Sequence, residues 1–394
     1  MSTVSIRKTH GEDYASIKTV VDQVIADLGG LEDIIKPGYK VIIKPNLVAC
    51  PTERLSGGVT RWEVCLAIYE AVKAVGGEPV IAESSAAGAD TELTIAKCGY
   101  QELRDKGIPV IDLKQKENAR CTVDIENGVV FNKINTWELV RDCDAIITVP
   151  VMKTHDQTEV TLGMKNLLID TQKKDFHKKG LIEGVVDWCL HLKPCLEIID
   201  GTYGQQGLGP IFGETKKMDL IVGSKDLVAC EAVTSKIMGY EPKEVMITNA
   251  AYKRGFGEMD LSKIEVIGEK VENVASRFKR SCEVEIEGIP QSFNLIFSKD
   301  ACTGCHNTVI SALMDMKAQN LFPYLENMNV CVGPCTEDML PADANADNTV
   351  CIGICCKKLA DAKGFRWVVG CPPGNADVVK GILGDRLEYG VRYN

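Results

Sequence analysis

The sequence predicts an α/β fold, a doubly wound, mostly parallel sheet followed by a second, smaller α/β domain that is rich in cysteine. The first observation is that short apolar runs typical of buried strands alternate with amphipathic helical segments as far as residue 275. The second is a change of character beyond that point, where nine of the 17 cysteines lie between Cys282 and Cys371. A chain of 394 residues is long enough for two domains, and we predict them over residues 1–275 and 276–394.

The first part of the chain has the pattern of a βαβ unit. Apolar residues at helical spacing predict a helix over 13–28 that ends at a pair of glycines. A buried strand over 39–44 then precedes a helix over 61–75, and a second strand follows over 79–82. A right-handed crossover places these two strands side by side in a parallel sheet.

Helices and strands continue to alternate beyond this unit. We predict helices over 91–106, 181–192, 225–238 and 243–254, and strands over 109–113, 144–149, 196–199 and 219–223. The loop GTYGQQGLGPIFG (201–213) is rich in glycine, which lets a ligand approach the backbone closely. It lacks both the Walker spacing and a Gly-x-Gly-x-x-Gly that opens a helix, so it indicates a shaped lip of an active site, or a plain turn, more than a nucleotide site.

The stretch VPVMKTHDQTEVTLGMKNLLID (149–170) concentrates polar and basic side chains. It begins where a predicted strand stops at Pro150, and we predict a loop at the carboxyl end of that strand, where open α/β sheets bind ligands. Ammonium, imidazole, hydroxyl and amide groups together suit a small anionic ligand, although the lysines of a plain surface loop would give the same pattern. The candidate residues are Lys153, Thr154, His155, Lys165 and Asn166.

Other polar residues occupy equivalent positions. Lys44, Asn46, Glu83 and Asp200 each come at or just after the carboxyl end of a predicted strand. In a parallel sheet those ends share one edge, so we predict that these side chains meet in a single basic crevice. For Lys44 and Glu83 the alternative is a solvated group or a surface ion pair.

We assign roles within this crevice by side-chain chemistry. Lys153, His155 and Lys165 are the predicted catalytic residues, the lysines holding an anion and the imidazole exchanging a proton. The predicted substrate-binding residues are Lys44, Asn46, Glu83, Thr154, Asn166 and Asp200.

Composition and charge narrow the possible partners. Apolar content of 45% and charged content of 25% are ordinary for a globular protein, and a net charge of −10 argues against a nucleic-acid partner. The N-terminal residues MSTVSIRKTHGEDY have no apolar signal core, and no run is long enough to span a bilayer. We therefore predict a cytoplasmic protein without a membrane partner, which binds a small anionic substrate or a redox partner protein. Self-association into a homo-oligomer is left open.

The cysteines near the end of the chain are regularly spaced. Alternation in CEVEIEGIPQSFNLIF (282–297) predicts antiparallel strands, after which Cys302-Thr-Gly-Cys305 opens an amphipathic helix. VCVGPC (330–335) and VCIGIC (350–355) then repeat one pattern, and WVVGC (367–371) is a shortened copy. Each copy is a short apolar strand, a glycine and a cysteine at the strand end, so parallel pairing would align the final cysteines beside the helix.

In a reducing compartment such thiols are metal ligands, catalytic groups or small buried hydrophobes. We predict that four of them hold a [4Fe-4S] cluster, with zinc as the alternative and unliganded thiols as the third possibility. The mid-strand residues Cys331 and Cys351 are interpreted as small hydrophobes of the core. The preferred ligands are Cys302, Cys305, Cys355 and Cys371, with Cys335 as the substitute.

The first domain carries five motifs: VIIKPNL (41–47), TVPVMKTH (148–155), VTLGMKNL (160–167), IIDGTYGQQGLGP (198–210) and SKDLVACEAV (224–233). Together they resemble the domain of unknown function 362 family over roughly residues 38 to 270. The resemblance implies an α/β domain that is often joined to ferredoxin-like modules, with its chemistry largely unassigned. The chain departs from that attachment because it lacks a C-x2-C-x2-C-x3-C-P run. Its Gly-Cys-Pro-Pro segment is similar to that of small cluster-bearing subunits of respiratory dehydrogenases, where the cysteine is a ligand.

A thiol set beside a polar crevice predicts an iron–sulfur redox protein, an electron-transferring oxidoreductase to be handled anaerobically. Its cluster would exchange electrons with a small anionic substrate or a protein-bound cofactor in the basic crevice. The first alternative is a non-redox iron–sulfur lyase or isomerase. The second is a non-catalytic metal-binding carrier or assembly partner. Nucleotide binding through the glycine-rich loop is left open.

Overall fold

The structure is a computed structural model, and it describes residues 1–51, 53–86, 88–210 and 213–386. The strands are β1 (Ser2–Lys8), β2 (Lys40–Pro45), β3 (Glu78–Glu83), β4 (Val110–Asp112), β5 (Arg120–Asp124), β6 (Lys133–Trp137), β7 (Ala145–Val149), β8 (Val151–His155), β9 (Glu159–Thr161), β10 (Leu196–Gln206), β11 (Glu214–Ser224), β12 (Ile264–Gly268), β13 (Asn294–Phe297), β14 (Asn329–Val332), β15 (Thr349–Ile352) and β16 (Arg366–Val368). The helices are α1 (Tyr14–Asp27), α2 (Trp62–Ala74), α3 (Thr91–Lys97), α4 (Gln101–Asp105), α5 (Glu138–Arg141), α6 (Gly163–Asn166), α7 (Lys173–Lys179), α8 (Leu181–Leu192), α9 (Leu227–Ile237), α10 (Met246–Lys253), α11 (Val271–Val274), α12 (Thr303–Ala318), α13 (Lys357–Lys363) and α14 (Asn375–Leu383).

The large sheet is mostly parallel, as the sequence predicts. Its strands follow the order β12-β1-β11-β10-β7-β2-β3-β4, and β8 joins it by pairing with β10 and β9. Strand β2 pairs in parallel with β3 and β7, and β7 pairs in parallel with β10. Strand β11 runs antiparallel to both of its neighbours, β1 and β10. The carboxyl ends of β2, β3, β7 and β10 therefore lie at one edge of the sheet.

Apolar side chains cover both faces of this sheet. Val41 and Ile43 of β2 belong to the core beneath α1 and α2, whereas Ile42 between them belongs to the core beneath α8 and α10. Successive side chains of a strand point to opposite faces, so a fully apolar strand needs helices on both sides. Each buried Val or Ile side chain stabilises the fold by about 1.5–3 kcal/mol. The sheet is doubly wound, and the predicted fold class is confirmed.

The chain beyond Pro150 is a strand and not the predicted loop. It continues as β8, which pairs with β10 and returns as β9 from Glu159, whose φ is +66°. Pro150 has no N–H, but its carbonyl oxygen accepts a hydrogen bond from the Asp200 amide at 2.8 Å, so the sheet continues past it. Similarly, β10 runs on to Gln206 in a hairpin with β11, where the sequence predicts a glycine-rich loop. The segment 211–212 of that loop lies outside the described residues. Long-range pairing outweighs the local signals of proline and glycine here.

Two outer strands of the large sheet are also absent from the sequence-based predictions. Strand β1 pairs with β11, and β12 pairs in parallel with β1. Both are partly exposed, so neither has the continuous apolar run that identifies the central strands.

The cysteine-rich end forms a second sheet of four parallel strands in the order β13-β14-β15-β16. The predicted parallel pairing of the repeated segments is confirmed, with Val330 of β14 opposite Val350 of β15. The prediction of antiparallel strands over 282–297 is wrong, because the strand formed there is β13, which runs parallel to β14. Helices α12 and α14 supply one side of its core through Val309 and Val378.

The boundary predicted at residue 275 stays a prediction. The large sheet ends with Gly268 and the second sheet begins with Asn294. Residues 387–394 of the predicted second domain lie outside the described residues. Across the described ranges, no helix combines the length and the apolar character that crossing a membrane requires.

Hydrogen bonds hold the loop after β16 against the part of the chain that forms the large sheet. The Cys371 amide donates to the His177 carbonyl oxygen at 3.0 Å, and the Cys371 carbonyl oxygen accepts from the Leu181 amide at 3.1 Å. The Gln157 side chain donates to the Pro373 carbonyl oxygen at 2.8 Å. The cysteine-rich end is thus fixed beside the segment that follows β8.

Candidate functional site

A cavity of about 570 Å³ opens at the carboxyl edge of the large sheet. Residues at the strand ends of the large sheet form one part of its wall. The cysteine-rich end forms another part, through Ser311 and the first turn of α14. Strand ends and helix starts that are far apart in sequence therefore meet at one site. Six residues predicted for the crevice line it: Lys44, Asn46, Glu83, His155, Lys165 and Asn166.

Lys153 lies behind the cavity wall and not on it. Its side chain is fully buried, and its ammonium group donates to Asn46 Oδ1 at 2.7 Å and to the Gly58 carbonyl oxygen at 2.6 Å. Burial, aided by the charge of Lys165, lowers the pKa of Lys153 to about 7. In place of the predicted contact with an anion, the structure gives Lys153 a positioning role, because it holds the Asn46 side chain.

Thr154 and Asp200 are also held away from the cavity. The Thr154 hydroxyl donates to the Gly207 carbonyl oxygen at 2.9 Å. The Asp200 carboxylate accepts from the Arg61 amide at 2.8 Å. Both side chains are buried in these contacts, so they fix the backbone around the cavity and do not offer a group to a substrate.

A buried ion pair supports the cavity. Lys44 Nζ lies 2.9 Å from Glu83 Oε2, and the two side chains are 3% and 4% exposed, so this is not the surface pair considered as the alternative. Asn166 Oδ1 accepts from Lys44 at 3.3 Å and from Asn46 at 3.0 Å. Burial lowers the pKa of Lys44, and Glu83 partly offsets this. Burial opposes the charge on Glu83, but Lys44 and Lys173 outweigh it and hold the pKa of Glu83 below its usual value.

His155 lines the cavity with its Nδ1 engaged by the protein. Nδ1 lies 3.0 Å from the Gln157 amide nitrogen and 2.9 Å from Asp156 Oδ1. The neutral ring accepts from Gln157 and the charged ring donates to Asp156, so these contacts suit the two protonation states of the imidazole. Burial, together with the charge of Lys165, lowers the pKa of His155. Nε2 is the nitrogen left for exchange of a proton with a ligand.

The ammonium group of Lys165 has no hydrogen-bond or ion-pair partner within the part of the chain that the structure describes. Burial, followed by repulsion from Lys173, lowers the pKa of Lys165 to about 8. A half-buried charge without a counter-ion is unfavourable, and an anion bound in the cavity would relieve that cost. Of the three predicted catalytic residues, Lys165 and His155 are those that the structure places at the cavity.

Two buried carboxyl groups anchor the short helix that carries Lys165. Glu197 Oε1 accepts from the Gly163 amide at 2.6 Å, and Glu231 Oε1 accepts from the Met164 amide at 2.8 Å. Burial raises the pKa of Glu231 to about 7, and burial with repulsion from Glu231 raises the pKa of Glu197 well above its usual value. Near neutral pH the folded pair therefore retains a proton that the unfolded chain would release.

Glu197→Gln is expected to remove a pH-dependent loss of stability. The ordinary pKa of both carboxyls is 4.5, so the folded state binds more protons and the free energy of unfolding falls as the pH rises through 7. Gln keeps an oxygen for the Gly163 amide, and Glu197 Oε2 has no partner to lose. In urea unfolding, we expect the variant to exceed wild type by about 1–3 kcal/mol at pH 8 and by little at pH 5. An equal difference at both pH values would contradict the shared-proton model.

Helix α7 supplies residues that the sequence-based analysis does not identify. Lys173 donates to the carbonyl oxygens of Ser84 and Ser85, and Phe176 anchors the helix in the core. The segment KKDFHKK (173–179) is basic, but in sequence it is indistinguishable from a solvated surface helix. Its residues at the cavity are Lys173, Lys174, His177 and Lys178.

His177 connects the cavity to the loop after β16. Its carbonyl oxygen accepts from the Cys371 amide at 3.0 Å. The Nδ1 atom of its ring is buried and has no hydrogen-bond partner in the described residues. Burial lowers the pKa of His177 to about 4, and the ring is therefore neutral at physiological pH.

We call Cys302, Cys305, Cys355 and Cys371 the first thiol group, because each of these thiols affects the pKa of at least one of the others. The Cys305 thiol adjoins that of Cys302, and Cys371 and Cys355 are close enough to raise its pKa further. Burial raises the pKa of Cys371, and the thiols of Cys302 and Cys355 raise it further. A Cβ at Gly353 would stand 3.0 Å from Cys305 Sγ, so glycine leaves the space beside this thiol open.

Cys335 belongs to a second thiol group, Cys331, Cys335, Cys351 and Cys356. The thiols of Cys331 and Cys356 lower the pKa of Cys335, whereas the same two thiols raise the pKa of Cys351. Cys331 and Cys351 lie opposite each other in β14 and β15 and are fully buried in an apolar cluster. Cys335, the predicted substitute ligand, therefore neighbours the second thiol group and not the other four predicted ligands. Cys356 is not among the predicted residues, because it directly follows Cys355 and no spacing rule separates the two.

A single metal ion has no ready site in the described ranges. There, no group of three or more His, Cys, Asp or Glu side chains could hold a metal ion.

Comparisons with known proteins concern mainly the first part of the chain. A family model described as Domain of unknown function (DUF362) matches residues 41–236, just under half of the chain. The thylakoid-associated protein sll1697 of Synechocystis sp. is 27% identical over 267 residues, which is 64% of this chain and 79% of that protein. A solved structure, the lactate racemase apoprotein from Thermoanaerobacterium thermosaccharolyticum, matches with a TM-score of 0.34 and 13% identity. That match covers 58% of this chain and 55% of the racemase chain, and it carries no inference about activity.

Proposed function

We propose that this protein, whose residues 41–236 belong to the DUF362 family, is an iron–sulfur redox protein. A [4Fe-4S] cluster held by the first thiol group would exchange electrons with a small anionic substrate in the cavity. A redox partner protein would deliver or accept these electrons singly at the surface, where Cys302 and Cys355 are exposed. The cytoplasmic location predicted from the sequence is part of this proposal.

The observation that carries the proposal is that the first thiol group adjoins the cavity. His177 lines the cavity, and its carbonyl oxygen accepts from the Cys371 amide at 3.0 Å. Gln157 also lines the cavity, and its carbonyl oxygen lies 3.1 Å from the position of a Cβ at Gly304, between the first two cysteines. A group held by these thiols would therefore be separated from a ligand by little more than the His177 and Gln157 residues.

The first thiol group suits a cluster by its chemistry and its shape. All four donors are thiols, which iron–sulfur clusters take as ligands, and Cys302 stands at the N-cap of α12, where the partial positive charge of the helix favours thiolate. Each iron of a four-iron cluster takes one thiolate, so the ligands surround a body wider than a single ion. When bound, the cluster would supply one-electron transfer.

Within the cavity, the chain's own residues bind the substrate and move its protons. The Lys165 ammonium group attracts the anion because it has no other counter-ion. Asn46 keeps one amide N–H for the substrate, and Asn166 positions it. His155 gives a proton through Nε2 as the substrate gains electrons and takes one back in the reverse direction, while Asp156 stabilises the charged ring.

Iron and sulfide analysis tests the proposal. Protein purified without oxygen is expected to contain about four irons and four sulfides per chain, with visible absorption that bleaches on addition of dithionite. Less than about one iron per chain, with stoichiometric zinc in its place, would overturn the redox function and favour a metal-binding carrier.

A further inference from the structure

We propose that the cavity binds a phosphate ester, and that its phosphoryl group lies at the N-terminus of α14, where the cysteine-rich end completes the site. This inference rests on the proposed function for the presence of a substrate in the cavity and adds the substrate's chemical class. It does not depend on the cluster, so the two can fail separately.

The cavity is a region of positive charge on an acidic protein. Six lysines line it against three carboxylates, while the whole chain has a net charge of −10. Lys44 is paired with Glu83, and Lys173 donates to backbone carbonyl oxygens. Across the described ranges the other four ammonium groups have no protein partner, and they belong to Lys165, Lys174, Lys178 and Lys380. Such an excess of unpaired cations favours a ligand with more than one negative charge.

The first turn of α14 faces this cavity. Residues 374–377 all line it, and no side chain caps this nine-residue helix. In the described residues, the amide N–H groups of Asn375 and Ala376 have no hydrogen-bond partner. Free amide groups and the partial positive charge of a helix start together bind phosphate.

Buried hydroxyl groups on the wall point independently to a polar ligand. Ser84 and Thr161 line the cavity and are only 1% and 3% exposed. The hydroxyl oxygens of both are without a hydrogen-bond partner in the described part of the chain. A buried hydroxyl left in that state costs about 1–3 kcal/mol, so rotation of these two enclosed hydroxyls towards an acceptor-rich ligand would be stabilising.

Two carboxylates lie near the helix start, and neither bonds to its free amide groups. Asp156 is engaged by the His155 ring and by the side chains of Ser311 and Asn375. Asp377 Oδ2 lies 3.5 Å from the position of a Cβ at Gly374, so this carboxylate stands at the helix start and opposes an anion there. Neither carboxylate takes up the two free amide groups of the helix start.

A phosphoryl group matches this set of donors better than a carboxylate does. A phosphate monoester carries close to two negative charges near neutral pH and has three strong acceptor oxygens. Lys178 from α7 and Lys380 from α14 supply charge, and the free amides supply directed hydrogen bonds. The remainder of the ester would extend to Lys165 and His155, where the proton exchange takes place.

Calorimetric titration of the full chain, purified without oxygen, tests the site with inorganic phosphate and acetate as probes. We expect one phosphate site per chain, with acetate at least about tenfold weaker. The double variant Lys178→Gln/Lys380→Gln should weaken phosphate binding at least about tenfold, and Asp377→Asn should tighten it. Lys179→Gln is the matched control, because Lys179 lies on α7 over the Phe131 ring and not at the cavity.

The outcomes separate this inference from the proposed function. Absence of phosphate binding at millimolar concentration, or equal weakening by Lys179→Gln, would overturn the phosphate site. Phosphate binding that the double variant leaves unchanged would overturn it too. Iron measured on the same samples tests the cluster alone, so a protein with phosphate bound and no iron would refute the redox function and support the phosphate site.

Discussion

Replacing Cys355 and Cys371 together by alanine is expected to lower the iron content from about four atoms per chain to less than about one. Both thiols belong to the first group, and two thiolates cannot retain a four-iron cluster that lies near the surface. Cys355 is exposed and Cys371 is half-buried, so the loss of their side chains should leave the fold intact. The measurements are iron analysis and the visible spectrum of protein purified without oxygen.

The second thiol group provides a matched control. Cys351 and Cys356 are fully buried neighbours in the same sheet region, and Cys356 directly follows a proposed ligand. Their replacement by alanine should cost about 1–3 kcal/mol of stability through lost packing and leave the iron near four atoms per chain. Loss of iron from this control, with retention in the first variant, would refute the proposed ligand set.

Glu83→Ala is expected to destabilise the protein by about 3–5 kcal/mol, because it leaves Lys44 as an uncompensated buried charge. The carboxylate also accepts the amides of Leu47 at 2.7 Å and of Ser84 at 2.6 Å, and these donors would lose their partner. Urea unfolding followed by the fluorescence of buried Trp188 measures the change.

The double variant Lys44→Met/Glu83→Leu distinguishes charge from packing. With neither charge present, the desolvation penalty disappears, and the double variant should be more stable than Glu83→Ala alone. A cost below about 1 kcal/mol for Glu83→Ala would mean that water reaches this pair, contrary to its placement. Strict additivity in the double-mutant cycle would likewise contradict a direct interaction between the two side chains.

Strand-end reasoning from the sequence locates most of the cavity. Parallel strands have their carboxyl ends at one edge of the sheet, however far apart they lie in the sequence. For this reason the wall of the cavity includes Lys44, Asn46, Glu83 and Asn166. The same rule fails for Lys153, since β8 pairs with β10 and turns its side chain towards Gly58. Sequence patterns identify the end of an element, but they do not say which way a side chain points once an unforeseen strand is added.

The periodicity of apolar residues was sufficient for the doubly wound sheet and for the parallel pairing of the cysteine repeats, because both follow from burial of local patterns. Packing between distant segments decided the rest. It turned α7 towards the cavity, separated Cys355 from Cys356 into two thiol groups, and brought the N-terminus of α14 to the cavity that His155 lines. These contacts join residues that lie far apart along the chain, so no local pattern encodes them, and their charges and hydrogen bonds exist only once both sheets are in place.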